Sequence, residues 1–543
     1  MQRSFRNLGS QVFDVAIIGG GITGSCIARD AARRGLSVAL VEKGDFSCGT
    51  SAGSTKLVHG GLRYLKSFEL SLIRESLRER RVWERIAPHM VYPMPFLMPL
   101  QKPADRWVLG TGLTLYDWLS YDRNWIDDPD QRMPGHRSLS ADEARALEPS
   151  LADAPFDSAM VYYDCQMYSP ERLGLECLVD AAAHGAVIAN YTEVTAFERQ
   201  SGSIHALRVK DRIGGGEASV RCKIAINAAG PWADRMLELI DGGSNAHKLI
   251  RSKGIHVVTR GVTNKHALAV GHKGGHFFIV PWRGHSIIGT TDTVFTGNPD
   301  ELTVTRDEIS GFLSFVNEGL PGLNLTPDHA SYAYAGLRPL VDDGSKNSYN
   351  ASRKAEIVDH EVEGGPSNLL SAIGGKWTTS RDIAEKCVNM IARKLKAEAK
   401  RCDTAHAPLP GAAGNHKAKV AALAKAHPDL APSAAENLAR NYGAQSDRLL
   451  QLAANDSALL RSVSQSLPDI AAQVVFAVRD EMAMTLEDVM FRRTGMGTLG
   501  ALEAGAIETV STLMARELGW SETERQRQIG SINWRYEPLT GSA

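Results

Sequence analysis

The chain has 543 residues, 43% of them hydrophobic and 23% charged, with a net charge of −1. That length supports two or three domains, each with its own core, and the composition is that of a soluble globular protein. The near-zero charge argues against a globally basic nucleic-acid binder, and the seven cysteines contain no C-x-x-C pair to suggest zinc or iron–sulfur.

A strand-like run over 12–18 leads directly into Gly19-Gly20-Gly21-Ile22-Thr23-Gly24. A helix-like stretch follows over 25–34, Gly35 ends it, and 37–41 reads as a second strand with Glu42 at its tip. The apolar run before Gly19 is short and contains Asp14, so the strand explains it and a signal peptide does not. Gly19 permits a tight turn, Gly21 lets backbone approach a pyrophosphate, and Gly24 lets the helix pack on the strand. The helix N-terminus then offers free N–H groups and a positive dipole end to phosphate. Glu42 stands eighteen residues past Gly24, placed to accept hydrogen bonds from an adenosine ribose. This spacing predicts a bound dinucleotide and leaves NAD and FAD both open.

The stretch Ser47-Cys48-Gly49-Thr50-Ser51-Ala52-Gly53-Ser54-Thr55-Lys56-Leu57-Val58-His59-Gly60-Gly61-Leu62-Arg63-Tyr64 is small and polar, then brings His, Arg and Tyr within six positions. Small residues let a chain lie flat along an extended ligand. Two apolar stretches follow, at 90–100 and 107–119. The first holds Pro93, Pro95 and Pro99, which rule out a regular helix. Neither is a run of about eighteen apolar residues, so no membrane-spanning helix is expected.

Further on, 223–227 runs into Ala228-Ala229-Gly230 and 369–373 runs into Gly374-Gly375-Lys376. Both look like buried parallel strands that abut a ligand. Residues 255–292 read as an antiparallel sheet, 399–415 as a linker, and the remainder to about 519 as helical.

Taken in order, Gly19–Gly24, Glu42, Thr50–Tyr64, Asn227-Ala228-Ala229-Gly230-Pro231-Trp232, Lys253-Gly254-Ile255-His256, Ile288-Gly289-Thr290-Thr291-Asp292, Gly336-Leu337-Arg338-Pro339-Leu340 and Gly374-Gly375-Lys376-Trp377-Thr378-Thr379 resemble the FAD-dependent glycerol-3-phosphate dehydrogenases over nearly the whole chain. Asp488-Val489-Met490-Phe491-Arg492-Arg493-Thr494 matches that family's helical cap. The family often has Ser at the positions of Ala52 and Ile255, and 242–247 and 345–352 match nothing in its pattern.

The resemblance implies an α/β fold: a Rossmann-like FAD-binding domain (1–95, 155–245 and 340–398), an inserted antiparallel β-sheet substrate domain (96–154 and 246–339) and a C-terminal all-α cap (399–543). It implies oxidation of sn-glycerol 3-phosphate to dihydroxyacetone phosphate, with electrons passed to ubiquinone or menaquinone. A homodimer is expected, cytoplasmic and peripheral on the inner face of the cytoplasmic membrane, with no metal and no nucleic acid. The apolar stretches 90–100 and 107–119 are candidates to dip into lipid, the latter anchored by Trp107, Tyr116 and Trp118, with burial in the core as the alternative.

A dianionic substrate needs fixed cations, and Arg63, Arg338 and Lys376 are the candidates. His59 is the favoured base, with His256 as the rival or as a substrate-positioning residue. Arg338 would also stabilise a developing alkoxide, and Tyr64 and Thr290 would add hydroxyl contacts. The cofactor-binding set is Gly19, Gly21, Gly24, Glu42, Thr50, Ser51, Ser54, Lys56, Leu57, Val194, Ala229, Gly230, Gly375 and Thr378. Within it, Gly375 and Thr378 would approach the pyrimidine end of the flavin. A glycerol-3-phosphate oxidase using O2 is the first alternative. An amine or amino-acid oxidase is the second, although three cations are too many for a site that binds a carboxylate and a neutral amine. A flavoprotein that binds RNA is disfavoured by the neutral charge.

Overall fold

A computed structural model describes residues 1–65, 67–241, 249–341, 355–454 and 456–540. The unmatched segments 242–247 and 345–352 lie outside them.

Strand β1 (Phe13–Ile18) lies between β2 (Val38–Val41) and the strand Glu217–Asn227, both parallel to it, so that Ile17 is flanked by Leu40 and Ile226. Leu369–Gly374 continues the sheet on one side and Val187–Ala189 on the other. The two apolar runs read far apart in the sequence thus pair directly, Ile226 beside Leu370. Helix α1 (Ile22–Arg33) packs on one face with Pro170–Ala183 and Ser380–Leu395. The opposite face meets Val194, Leu207 and Val209 of a β-hairpin. Burial on both faces is why these strands are apolar without alternation. Helix α1 begins at Ile22, earlier than predicted, because Gly21 is itself the N-cap.

In the second sheet the strand Leu249–Arg260 runs antiparallel to Ala330–Val341 and to His285–Gly289, placing His256 between Tyr334 and Gly289. The antiparallel order expected over 255–292 is present. The sheet continues through Gly275–Trp282, Ala267–His272, Val91–Leu100 and Ser158–Met167 to Leu57–Val58, and therefore ends one residue before His59. This sheet divides the chain differently from the expected boundaries at 95/96 and 154/155, since 57–58 and 158–167 belong to it. Strand pairing is non-local, so the sequence marks a strand without naming its partner.

The stretch 90–100 is no lipid-facing segment. As strand Val91–Leu100 it pairs with 158–167 from Val91↔Met167 to Leu100↔Ser158, and Met90, Val91, Phe96 and Leu97 are buried. Its three prolines share one parity, so the donors they lack fall along one side of the strand. Tyr116 is not a lipid anchor either: it is 2% exposed and its hydroxyl donates to Asp164. Trp107 and Trp118, on α2 (Pro103–Leu119), are 80% and 71% exposed.

The 399–415 segment has no helix or strand, yet it is pinned: Arg29 Nη2 donates to the Ala407 carbonyl (2.7 Å) and Leu409 is buried. Beyond it, helices including Pro432–Asn441, Ala471–Glu481 and Ala504–Leu518 share a core, to which Trp282 and Tyr332 of the second sheet contribute.

Candidate active site

Both sheets wall a cleft of about 2820 Å³, far larger than a small substrate needs and with room for a dinucleotide as well. One end is built on glycine. Gly19 has φ +106°, and a Cβ there would stand 2.6 Å from the Ala228 carbonyl oxygen. Gly24 packs against the Gly19 carbonyl behind the cleft, so its part is to seat α1 on β1. Gly21 faces the cleft as the α1 N-cap, and the Ile22 N–H donates to Ser51 Oγ at 2.9 Å. The Glu42 carboxylate accepts the Gly20 N–H (2.7 Å) through one oxygen and the Gly44 N–H (2.8 Å) through the other. Each oxygen keeps a lone pair for a ribose hydroxyl. Burial pushes the Glu42 carboxyl up, and the two N–H bonds oppose that. A side-chain-free cradle, an open helix N-terminus and this carboxylate fit the ADP half of FAD.

Thr50, Ser54, Leu57, Val194, Ala229 and Gly230 line the same cleft. The Thr50 hydroxyl donates to the Leu337 carbonyl, tying the polar stretch to the strand that carries Arg338. The Ser54 carbonyl receives the Tyr334 hydroxyl at 2.8 Å. The Lys56 side chain stands apart from this set. It is buried away from the cleft lining, its ammonium pairs with Glu171 at 2.8 Å, and the rings of Trp282 and Tyr334 flank it. A buried ammonium requires such a partner, and a cofactor role would leave Glu171 uncompensated.

The chemical end gathers His59, Arg63, Tyr64, His256, Thr290, Arg338, Gly375, Lys376 and Thr378 on the cleft wall. Arg63 Nη2 donates to the Tyr64 hydroxyl (3.3 Å), and Lys376 Nζ lies 4.1 Å from the Tyr64 ring centroid while donating to Ser76 Oγ (2.9 Å). Arg338 stands in a second group. Its Nη1 donates to Ser252 Oγ (3.1 Å) and its Nη2 to Thr290 Oγ1 (3.1 Å), with the Thr291 carbonyl 3.3 Å from both. Ser252 in turn donates to Asp292 at 2.6 Å. Gly254 leaves the space that the Arg338 guanidinium fills.

His256 is buried and stacked on Tyr334 (4.8 Å between centroids, 8° between planes), with Nε2 3.0 Å from Thr55 Oγ1. Burial, then Arg338 and then Lys56 hold its imidazole well below the usual histidine range, so it is neutral. Its Nδ1 is enclosed without a hydrogen-bond partner among the described residues. His59 is held by its backbone: Thr378 Oγ1 accepts the His59 N–H (3.2 Å) and donates to the His59 carbonyl (3.3 Å). The Thr378 hydroxyl therefore clamps the histidine loop, a contact that its expected place at the flavin did not suggest. Gly374 and Gly375 both have positive φ, and the helix-like stretch begins as a turn at Trp377–Thr379 before Ser380–Leu395.

Sequence reasoning missed Asp164. Its buried carboxylate accepts the Gly60 N–H (3.1 Å), Arg80 Nη1 (2.6 Å) and the Tyr116 hydroxyl (2.9 Å), bracing the backbone between His59 and Gly61. Its signal was a lone acid within the apolar strand 158–167.

The model of the FAD-dependent oxidoreductase family matches residues 14–381, and that of the C-terminal domain of alpha-glycerophosphate oxidase matches 402–525. Glycerol-3-phosphate dehydrogenase of Synechocystis sp. is 35% identical over 97% of both chains. The chain belongs to the FAD-dependent glycerol-3-phosphate dehydrogenase family. Within that family, the crystal structure of the Bacillus halodurans glycerol-3-phosphate dehydrogenase complexed with FAD is similar at a TM-score of 0.78, with 27% identity, covering 99% of this chain and 97% of its own. L-alpha-glycerophosphate oxidase of Mycoplasma pneumoniae shares the fold alone, at 18% identity and a TM-score of 0.56, over 74% of this chain and 99% of its own. The family's cofactor is FAD, the mixed α/β fold with a helical C-terminal part is the expected one, and the glycine cradle and Glu42 are where this chain would hold the ADP half.

Proposed function

We propose that the protein oxidises sn-glycerol 3-phosphate to dihydroxyacetone phosphate and passes the electrons to a membrane quinone. The observation that carries the substrate is that three cations line one cleft, Arg63 and Lys376 around Tyr64 and Arg338 beside Thr290. A phosphate dianion is the ligand such a set recognises. Bound FAD supplies a two-electron acceptor for the hydride from carbon 2.

The chain's own residues do the rest. The cations bind the phosphate and orient the hydroxyl-bearing carbon. His59 takes the hydroxyl proton: its loop is fixed by Thr378 and Asp164, whereas His256 has one nitrogen on Thr55 and the other enclosed. His256 is a neutral positioning group beside Arg338, and Arg338 steadies the oxygen as it loses its proton. Purified protein should be yellow, and anaerobic sn-glycerol 3-phosphate should bleach its flavin band near ~450 nm while glycerol does not. Bleaching by glycerol at equal concentration would remove the phosphate site. His59→Asn should slow the bleaching more than it weakens binding, and a pure binding loss would move the base elsewhere.

The acceptor reading rests on the outer face of α2. Trp107 and Trp118, eleven residues or about three turns apart, lie on one side of the helix. Exposed Phe68, Tyr121 and Trp125 extend the aromatic surface, as at a lipid interface. Among the described residues no helix is long and apolar enough to cross a membrane, so association would be peripheral. The protein should sediment with anionic vesicles, and Trp107→Ser with Trp118→Ser should release it. Stoichiometric peroxide in air without lipid or quinone would select the oxidase instead.

A further inference from the structure

The cap meets the cofactor half of the molecule at several buried charged contacts, Arg172 with Glu481 among them, and one of these falls on the loop that carries Glu42. Asp45 lies three residues past Glu42 on the same loop and is buried. It receives Arg492 Nε (2.6 Å), Arg493 Nη1 (2.7 Å), Arg493 Nη2 (2.8 Å) and Asn190 Nδ2 (3.1 Å). Both arginines come from the cap segment Asp488–Arg493. Arg492 continues to Asp488 (2.6 Å) and Glu487 (3.1 Å), and Asp488 also accepts the Tyr191 hydroxyl (2.6 Å). The circuit closes through backbone: the Tyr191 N–H donates to the Gly44 carbonyl (2.8 Å) and the Thr192 N–H to the Glu42 carbonyl (2.7 Å). Glu42, Tyr191, Glu487 and Arg492 all line the cleft.

Docking the cap does not by itself require these ions, since its core already takes in Trp282 and Tyr332 of the second sheet. Buried charges are costly, and their use here imposes geometry: the planar fork of Arg493 grips both Asp45 oxygens and so fixes the loop's orientation. We propose that the cap is a latch on the adenosine end of the cofactor, with Arg492 and Arg493 acting through Asp45 to hold the 42–45 loop in the form that grips the ribose. They are positioning residues, and the proposal rests on the placement of the ribose at Glu42.

Holoenzyme dilution followed by flavin fluorescence tests it. Arg493→Met and Asp45→Asn should each raise the FAD Kd about tenfold or more, with kcat and KM for sn-glycerol 3-phosphate unchanged at saturating FAD. On heating, these variants should release FAD while the far-ultraviolet circular dichroism is still native. If Arg493→Met does not fold, Arg493→Lys keeps the charge without the fork and should show a smaller weakening, of about threefold. An unchanged FAD Kd, whatever happens to the melting temperature, would make the contact a brace and overturn the latch. Glu42→Ala separates the two levels. If it leaves the FAD Kd unchanged, the ribose placement fails. If it weakens FAD while Arg493→Met and Arg493→Lys do not, the latch alone fails.

Discussion

The two ends of the cleft use arginine in opposite ways. At the adenosine end, Arg492 and Arg493 meet carboxylates at 2.6–2.8 Å in a buried circuit whose product is a fixed backbone loop. At the chemical end, Arg338 is oriented by two hydroxyls and a carbonyl, with the Asp292 carboxylate 4.0 Å away and Ser252 donating to it. Hydrogen bonds to neutral acceptors aim a guanidinium, and direct ion pairs tie two pieces of chain together. The same residue type should therefore show itself in kinetics at one end and in cofactor retention at the other.

The largest expected effect is at Arg338. Arg338→Ala should lower kcat/KM for sn-glycerol 3-phosphate by roughly 10²–10³-fold, as truncating one partner of a charged pair does, and should leave the FAD Kd unchanged. Stopped-flow flavin reduction over a range of substrate concentrations measures it. A loss of FAD with intact reduction would erase the contrast between the two ends.

A smaller effect is expected at Thr378. Thr378→Val keeps the shape and removes both bonds to the His59 backbone. The reduction rate should fall about tenfold, the worth of one or two hydrogen bonds, while KM moves little. Thr378→Ser should recover most of the rate. If Thr378→Val instead loosens FAD, the hydroxyl serves the cofactor and His59 is set by Asp164 and Gly60.

The sequence made the adenosine end legible because its requirements are local. Gly19, Gly21, Gly24 and Glu42 sit within one strand–helix–strand unit, and the spacing alone gives each a task. The chemical end is assembled from strands far apart in the chain, and its residues were found through a family's ordered motifs; His59 depends on Thr378, Asp164 and Arg80, which no spacing rule connects. The Lys56 side chain departs from the pattern of its neighbours, since Thr55 and Leu57 line the cleft while its ammonium turns to Glu171. The stretch 90–100 misled. An apolar run with prolines fits lipid contact or an inner strand equally well until its partner 158–167 is known. Arg492 and Arg493 were visible as a motif, but Asp45 stands more than four hundred residues away.

The two ends should also differ in how pH affects them. At the cap, burial pushes the Glu487 carboxyl up, but Arg492 and Arg535 outweigh it and hold it at about 2. Its contribution to stability is present above the ordinary value of 4.5 and is lost as pH falls towards 2. Beneath the histidine loop, burial pushes the Glu84 carboxyl up to about 8, with Arg80 opposing only in part. Between 4.5 and about 8 it is neutral in the fold and ionised in the unfolded chain, so ionisation favours unfolding. Stability present below 4.5 is therefore lost progressively as pH rises through about 8, to the extent of a few kcal/mol. Glu84→Gln cannot ionise and should abolish that loss. Thermal melts of the two proteins should nearly coincide near pH 5 and separate in favour of the variant by pH 9. Curves that stay parallel across that range would mean Glu84 is charged in the fold, and the alkaline sensitivity would then have to arise elsewhere.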